Sequence, residues 1–202
     1  MKKVLSLILV AALCSSCRYH SSNIDLNGDS VIETSIPTIQ KDPNGYFRNY
    51  LAREMSYTNG LYYKEDDAKY KLLVTVTEDT KTKITFMWDR DPVTNTDLRV
   101  FYPTEDSREC VAKVELVDSD TGKAVIPAFF VKASADYDYV NPTVKQAVEF
   151  TTPSDGTQSV LQYSLGQLDS LEGADKESFN PIYDKLAKKI VARLSRSHAK
   201  RS

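Results

Sequence analysis

Histidine and cysteine are both scarce in this chain of 202 residues. The two histidines, His20 and His198, lie near the two ends, and there are three cysteines. The sequence therefore offers no histidine-rich metal site and no interior histidine for a catalytic triad. An excess of one charge is lacking too, since 26 basic residues nearly balance 28 acidic ones. This balance argues against general binding of nucleic acid.

The apolar run at the N-terminus is too short to cross a membrane. It covers residues 4–13 after two lysines, and as a helix it would span about 15 Å, half of a bilayer core. We interpret residues 1–16 as a signal peptide whose removal leaves Cys17 at the mature N-terminus. The small residues Ser15 and Ser16 precede Cys17, whereas the bulky Leu13 precedes Cys14.

The sequence around Cys17 resembles a bacterial lipobox, in which the cysteine after the cut carries a diacylglycerol and further acyl chains such as palmitate. Cys14 stands where the lipobox usually has an apolar residue. Acyl chains on Cys17 would hold the protein on a membrane, and secretion without lipid is the alternative. Arg18, rather than aspartate, follows the cysteine. By resemblance to sorted lipoproteins, this favours the periplasmic face of the outer membrane.

Only Cys110 remains once Cys14 is cleaved off and Cys17 is lipidated, so no internal disulfide can form. Because Cys110 begins an alternating apolar segment, we expect a small buried hydrophobic residue rather than a nucleophile.

Residues 17–30 are polar and are interpreted as a lipidated tether. Asn23, Asp25 and Asn27 approximate the first half of a calcium loop, but its twelfth position would be Thr34. A plain linker turn is therefore favoured over a metal site.

The rest of the chain, residues 31–197, predicts a single α+β domain followed by a polar tail at 198–202. The first helix follows Asp42 as N-cap and Pro43, and the last begins with Asn180 as cap of Pro181. The pattern predicts strands at 31–39, 68–77, 83–88, 111–117 and 124–134. We expect two helices on one face of a mixed, mostly antiparallel sheet of four to six strands, whose first two strands are joined by a crossover.

Residues 136–171 support two interpretations. Alternating segments at 147–150 and 161–165 flank a turn-like segment at 153–156, which indicates an extra hairpin. A long functional loop is equally compatible with the pattern.

Two carboxylate pairs, Asp89 with Asp91 and Asp118 with Asp120, are the other candidates for a catalytic site. Both pairs fall in turn-like segments without a nearby histidine or a glycine-rich oxyanion loop. We therefore expect no enzymatic activity, no cofactor and no metal.

The basic residues concentrate at the C-terminus. From residue 181 onward there are seven basic residues and one acidic residue, Asp184, so the remainder of the mature chain is acidic. One interpretation is a solvated helix face near a helix C-terminus. The other is a contact with anionic lipid or an acidic partner, for which the candidates are Lys185, Lys188, Lys189, Arg193 and Arg196.

Four features together resemble the lipopolysaccharide-assembly lipoprotein family, LptE. The mature start, Cys17-Arg18-Tyr19-His20, is similar to the Cys-Gly-Tyr-His/Phe opening of the family. The segment Ile36-Pro37-Thr38-Ile39 before a helix and the segment 68–72, AKYKL, match two of its strand motifs. The final LAKKIVARL, residues 186–194, resembles its last helix. Arg18 in place of glycine and an apparent insertion at 142–179 depart from the family pattern.

The resemblance implies an outer-membrane lipoprotein that acts in lipopolysaccharide assembly. Such proteins plug the LptD β-barrel translocon, assist its assembly and contact lipopolysaccharide; no lipid-contacting residue transfers to this chain. The alternative is another α+β envelope lipoprotein that serves as an auxiliary subunit of a transport or secretion complex.

Overall fold

The computed structural model describes residues 31–42, 45–91, 96–141, 144, 149–154, 156–159 and 169–199. The predicted signal peptide, Cys17, the tether with its calcium-loop-like segment, Pro43 and residues 200–202 lie outside the described residues. In the described part, no helix is long and apolar enough to cross a membrane.

Eight strands and three helices make up the described structure. The strands are β1 (Ile32–Ser35), β2 (Leu61–Tyr63), β3 (Tyr70–Arg90), β4 (Asp97–Asp118), β5 (Ala124–Val140), β6 (Glu149–Thr152), β7 (Gly156–Ser159) and β8 (Asp169–Ser170). The helices are α1 (Phe47–Ser56), α2 (Leu171–Glu177) and α3 (Phe179–Ala199).

Six of the strands form one sheet in the order β2-β1-β3-β4-β5-β8. The long β3–β4 and β4–β5 pairs are antiparallel, whereas the short β2–β1, β1–β3 and β5–β8 pairs are parallel. The connection from β1 to its parallel neighbour β3 contains α1 and β2. The predicted α+β class, with a mixed sheet and a crossover between its first strands, is confirmed.

The apolar faces of α1 and α3 pack on the sheet as their spacing predicts. Each residue at the predicted four-residue intervals is fully buried: Phe47, Leu51 and Met55 in α1, and Ile182, Leu186, Ile190 and Leu194 in α3. They meet Leu72, Val74 and Val76, which alternate along β3. Large-to-small changes at such positions typically cost about 2–5 kcal/mol.

The long strands differ most from the sequence prediction. Residues 68–77 and 83–88 were expected to be separate strands, but both belong to β3, and β4 begins at Asp97 rather than at Val111. Between the predicted strands, residues 78–82 are exposed and polar, so no apolar alternation marks them. Backbone pairing with β4 continues across this segment because it requires no side-chain burial.

The predicted cap of the last helix is wrong. Ser170 caps the preceding helix α2 by accepting a hydrogen bond from the Gly173 backbone N–H at 3.2 Å. Asn180 lies inside α3, where its side chain contacts Tyr50 and Glu177. Ser-Leu-Glu at 170–172 also carries a cap signal, which the clearer Asn-Pro signal at 180–181 concealed.

An extra hairpin does form within residues 136–171. Strands β6 and β7 pair in antiparallel fashion. Gly156, with a φ of +69°, begins β7 inside the segment 153–156 predicted as the turn. The second predicted segment, 161–165, lies outside the described residues.

Candidate interaction surfaces

The structure divides the five predicted basic residues of α3 into two groups. All five are exposed. Lys188 faces α1, because its Nζ lies 2.7 Å from Oδ2 of Asp184, and Oδ1 of the same carboxylate accepts a hydrogen bond from Arg53 of α1 at 2.6 Å. The other four, Lys185, Lys189, Arg193 and Arg196, recur every three or four positions and form a row beside β5. We call these four residues the basic row.

Two lysines of the basic row cover the backbone of an edge strand. Strand β8 pairs with β5 only at Tyr139 and Val140, so residues 124–138 of β5 form a sheet edge among the described residues. Lys185 donates to the carbonyl of Ser134 and Lys189 to that of Lys132, each at 2.7 Å. Lysines at an edge oppose strand addition by another chain.

The basic row also borders a groove of about 520 Å³ against β5. It is lined by apolar and cationic side chains, namely Phe130, Val131, Lys132, Lys189, Ala192, Arg193 and Arg196. The Arg193 guanidinium lies 4.4 Å above the ring of buried Phe129, and Lys132 pairs with Glu109 at 2.7 Å. We call it the basic groove. Its chemistry suits an anionic group attached to an apolar body.

A second surface lies at the far end of the β3–β4 hairpin. Strand β1 pairs with β3 only as far as Lys71, with one further bridge at Thr75, and β5 pairs with β4 only from Glu105 onward. Residues 86–90 and 97–104 therefore project as a two-stranded arm. Seven large apolar side chains of the arm and its base are exposed: Ile84, Phe86, Met87, Trp88, Leu98, Val100 and Phe101. We call these seven residues the apolar band.

Aromatic rings organise one face of the arm. Trp88 and Phe101 are directly opposite each other across the strands, with ring centroids 4.1 Å apart, and Phe86 stacks on Phe101 at 5.9 Å. Met87 and Val100 neighbour these residues in the strands and so point to the opposite face. The sequence predicts a strand at 83–88 but does not predict this surface. The run Phe86-Met87-Trp88 was the available signal, because a strand with one buried face alternates apolar and polar residues.

An ionic network centred on buried Arg108 joins the sheet to the helices. Arg108, whose side chain is 5% exposed, makes two hydrogen bonds to Asp79, from Nε at 2.7 Å and from Nη2 at 2.5 Å. Its Nη1 donates to the carbonyl and carboxylate of Asp175 in α2, and its guanidinium stacks 3.6 Å from the Phe179 ring centroid. The Arg108 hydrogen bonds lower the pKa of Asp79. The network orients α2 and α3 on the sheet.

Cys110 lies within this network and is suited to packing. It is fully buried in β4, with its Sγ 3.6 Å from Oδ1 of Asp79. Burial, reinforced by the Asp79 carboxylate, raises the pKa of the thiol to about 12. A thiol held protonated at neutral pH is a poor nucleophile.

The carboxylate pairs lie at strand ends and only partly in turns: Asp89 belongs to β3 and Asp118 ends β4, whereas Asp91 and Asp120 follow those strands. Asp118 accepts hydrogen bonds from the backbone N–H of Thr121 and Asp120, which lowers its pKa and shapes the β4–β5 turn. Asp89 and Asp91 lie at the end of the arm, where Asp89 accepts a hydrogen bond from the Arg90 backbone N–H. In the part of the chain that the structure describes, no group of three or more metal-ligating side chains comes together.

Comparison with known proteins adds structural likeness only. No family model and no curated protein matches the chain. A minor lipoprotein of Acinetobacter baumannii is 12% identical, with a TM-score of 0.45, and the match covers 84% of this chain and 92% of that one. The protein XCC0632 of Xanthomonas campestris is 7% identical, with a TM-score of 0.47 and coverages of 85% and 87%.

Rare lipoprotein B of Shewanella oneidensis is also similar, with 10% identity, a TM-score of 0.35 and coverages of 83% and 94%. Solved structures named as lipoproteins are thus among those that this chain is similar to. At these identities and TM-scores the likeness does not assign a function.

Proposed function

We propose that this protein is a lipid-anchored adaptor of the outer membrane that acts in lipopolysaccharide assembly, as a plug or chaperone of an LptD-like β-barrel. Cys17 is the proposed lipidation site, and the folded domain would lie on the periplasmic side. The proposed role is non-enzymatic and uses no cofactor. Its partners are the barrel, lipopolysaccharide and, through the N-terminal lipid, the membrane.

The basic groove is the observation that carries this proposal. Arg193 and Arg196 lie beside exposed Phe130, so cationic and apolar groups line the same concave surface. Lipopolysaccharide has a matching chemistry, with phosphate groups next to acyl chains. Guanidinium groups bind phosphate through paired hydrogen bonds.

The alternative for the basic residues, a purely solvated helix face, accounts for Lys188 but less well for the basic row. Lys188 is paired with Asp184 at 2.7 Å on the side of α1. Lys185 and Lys189 instead bind backbone carbonyls, which are neutral, so their positive charges remain uncompensated by those contacts. A row of such charges attracts anions.

A charge reversal with a matched control tests the proposal. In cells that carry the tagged full-length protein, we expect Arg193→Glu with Arg196→Glu to reduce lipopolysaccharide recovered with the protein by about tenfold or more, since charge-assisted contacts are lost. Lys188→Glu lies on the same helix outside the groove and should leave recovery near the wild-type level. Equal recovery from all three proteins would overturn the role of the groove.

Co-purification tests the partner. The wild-type protein should bring down a large outer-membrane β-barrel, and depletion of the protein should lower surface lipopolysaccharide. An unchanged level of surface lipopolysaccharide would contradict the assembly role.

A different transport or secretion complex is the second candidate. The exposed arm favours it, because a projecting apolar hairpin suits docking to another subunit. Recovery of an inner-membrane complex in place of a barrel would support this second role and contradict the first.

A further inference from the structure

The apolar band is about half exposed on both faces of the hairpin, whereas Tyr102, opposite Met87, is buried. Trp88 and Phe101 on one face are 51% and 54% exposed, and Met87 and Val100 on the other are 54% and 52% exposed. Clustered apolar surface of this kind marks sites of interaction. Whatever covers the band in the cell must therefore close on two opposite faces.

A second copy of the chain does not meet this requirement. Two arms stacked through the face of Phe86, Trp88 and Phe101 would leave Met87 and Val100 in water on each outer face. Pairing along the strand edges is disfavoured as well. Register shifts interrupt β3 at Lys83/Thr85, Thr85/Phe86 and Trp88/Arg90, and Arg99 on β4 has a φ of +58°. Such irregularities break the straight edge that strand addition uses.

A bilayer is excluded by the end of the arm. Asp91 and Asp97 lie beyond the band and Asp89 lies level with its last residues, with Arg90 paired to Asp97 at 3.0 Å. Residues 84–88 of the band span about 15 Å, which is half of the hydrocarbon core. Insertion to cover the band would place three carboxylates near the bilayer centre, where each charge costs several times what an apolar side chain gains.

We propose that the apolar band is the docking site for a different protein, which presents an apolar cleft that encloses both faces of the arm. The cleft is open at its far side, so that the charged end of the arm stays in water. Its rim carries basic groups opposite this end, where the three aspartates at 89, 91 and 97 outnumber Arg90 and Arg99. Side chains rather than strand pairing supply the contact. This proposal is independent of lipidation, of the basic groove and of lipopolysaccharide.

Photocrosslinking at opposite faces tests the site. In the full-length protein in living cells, p-benzoylphenylalanine replaces either Met87 or Phe101, and in a control it replaces Tyr57, which is 76% exposed at the end of α1. We expect both arm positions to give a protein adduct of the same mass. The yield at each should be at least about tenfold above that at Tyr57, because residues at the centre of an interface are enclosed by the partner. The shared mass is the decisive readout, because only an enclosing partner contacts both faces.

A paired variant tests whether the band supplies the affinity. Phe86→Ser with Trp88→Ser should reduce the adduct formed from Phe101 by about tenfold or more. Its melting temperature should stay close to that of wild type, because the band lies outside the core.

Other outcomes would overturn the proposal. An adduct with twice the mass of the chain would mean self-association, and an adduct with the mass of a phospholipid would mean membrane contact. Different masses from the two faces, or no adduct from either, would equally reject an enclosing cleft. A shared adduct that is not a barrel would leave this inference standing, and the proposed function would still be decided by the groove variants and by co-purification of a barrel.

Discussion

The guanidinium of Arg108 is held between Asp79 on the neighbouring strand and the ring of Phe179 at the start of the last helix. Two hydrogen bonds of 2.7 and 2.5 Å join it to the carboxylate, and 3.6 Å separates its central carbon from the ring centroid. One side chain thus connects the centre of the sheet to the helix that carries the basic row.

Loss of this arginine should destabilise the fold. Arg108→Met leaves the Asp79 carboxylate without its main cation and leaves Asp175 with Lys81 alone, and we expect the free energy of unfolding to fall by about 2–4 kcal/mol. Both acids are about a third exposed, which keeps the effect below that of a fully buried pair. Urea denaturation measures it. Arg90→Met removes the exposed pair with Asp97 and should change stability by less than about 1 kcal/mol; equal losses in the two variants would contradict this account.

The ion pair between Arg108 and Asp79 should make the stability of the fold depend on pH in the acidic range. Arg108 lowers the pKa of Asp79 below its ordinary 3.8 in the folded protein. The pair therefore stabilises the fold above pH 3.8, and this contribution is lost as the pH falls through the lowered pKa. Melting temperatures from about pH 5 to about pH 2 should fall more steeply for wild type than for Asp79→Asn. Parallel curves would show that Asp79 is not responsible.

Asp42 and Tyr183 should be energetically coupled. The hydroxyl of buried Tyr183 donates to Oδ1 of Asp42 at 2.7 Å, and the Phe47 backbone N–H donates to Oδ2 at 3.0 Å. A double-mutant cycle of Asp42→Ala and Tyr183→Phe should give a coupling of about 1 kcal/mol in urea denaturation. Additive losses would mean that the hydrogen bond contributes nothing to stability.

Removal of the lysines that cover the edge of β5 should promote self-association. In Lys185→Ala with Lys189→Ala, the carbonyls of Ser134 and Lys132 lose their donors and can accept a strand from another chain. Light scattering at increasing protein concentration should show a larger apparent mass than for wild type. Lys188→Ala, on the opposite side of α3, serves as the control and should behave like wild type.

Cys17 should be the site of lipid attachment. Growth with labelled palmitate should mark the wild-type protein, and Cys17→Ala should remove the label. A label that persists on the variant would place the cleavage site elsewhere, with Cys14 as the next cysteine to test.

Periodicity predicted the helices well because their burial repeats along the chain. The apolar residues of α1 and α3 at four-residue spacing are all buried, and a turn at 118–122 joins β4 to β5 as its Asp and Gly residues predict. The cap at Asn180 was wrong because α3 begins at Phe179, directly after Ser178 ends α2, so the Asn-Pro signal falls inside the helix.

The sheet was predicted less completely, because backbone hydrogen bonds between strands do not depend on which side chains the strands carry. Residues 78–82 pair with β4 although their side chains are exposed, so two predicted strands proved to be one. The projecting arm, and with it the apolar band, follows from this pairing and was missed for the same reason.

Taken alone, the sequence determined the α+β class, the apolar faces of the helices and the concentration of basic residues in the last helix, because each is a local or periodic property. Tertiary structure decided which of those residues act together. The position of β5 beside α3 separates the basic row from Lys188, and the limited reach of β1 and β5 leaves the arm uncovered among the described residues. Both outcomes depend on contacts between segments distant in the chain, which local patterns do not encode.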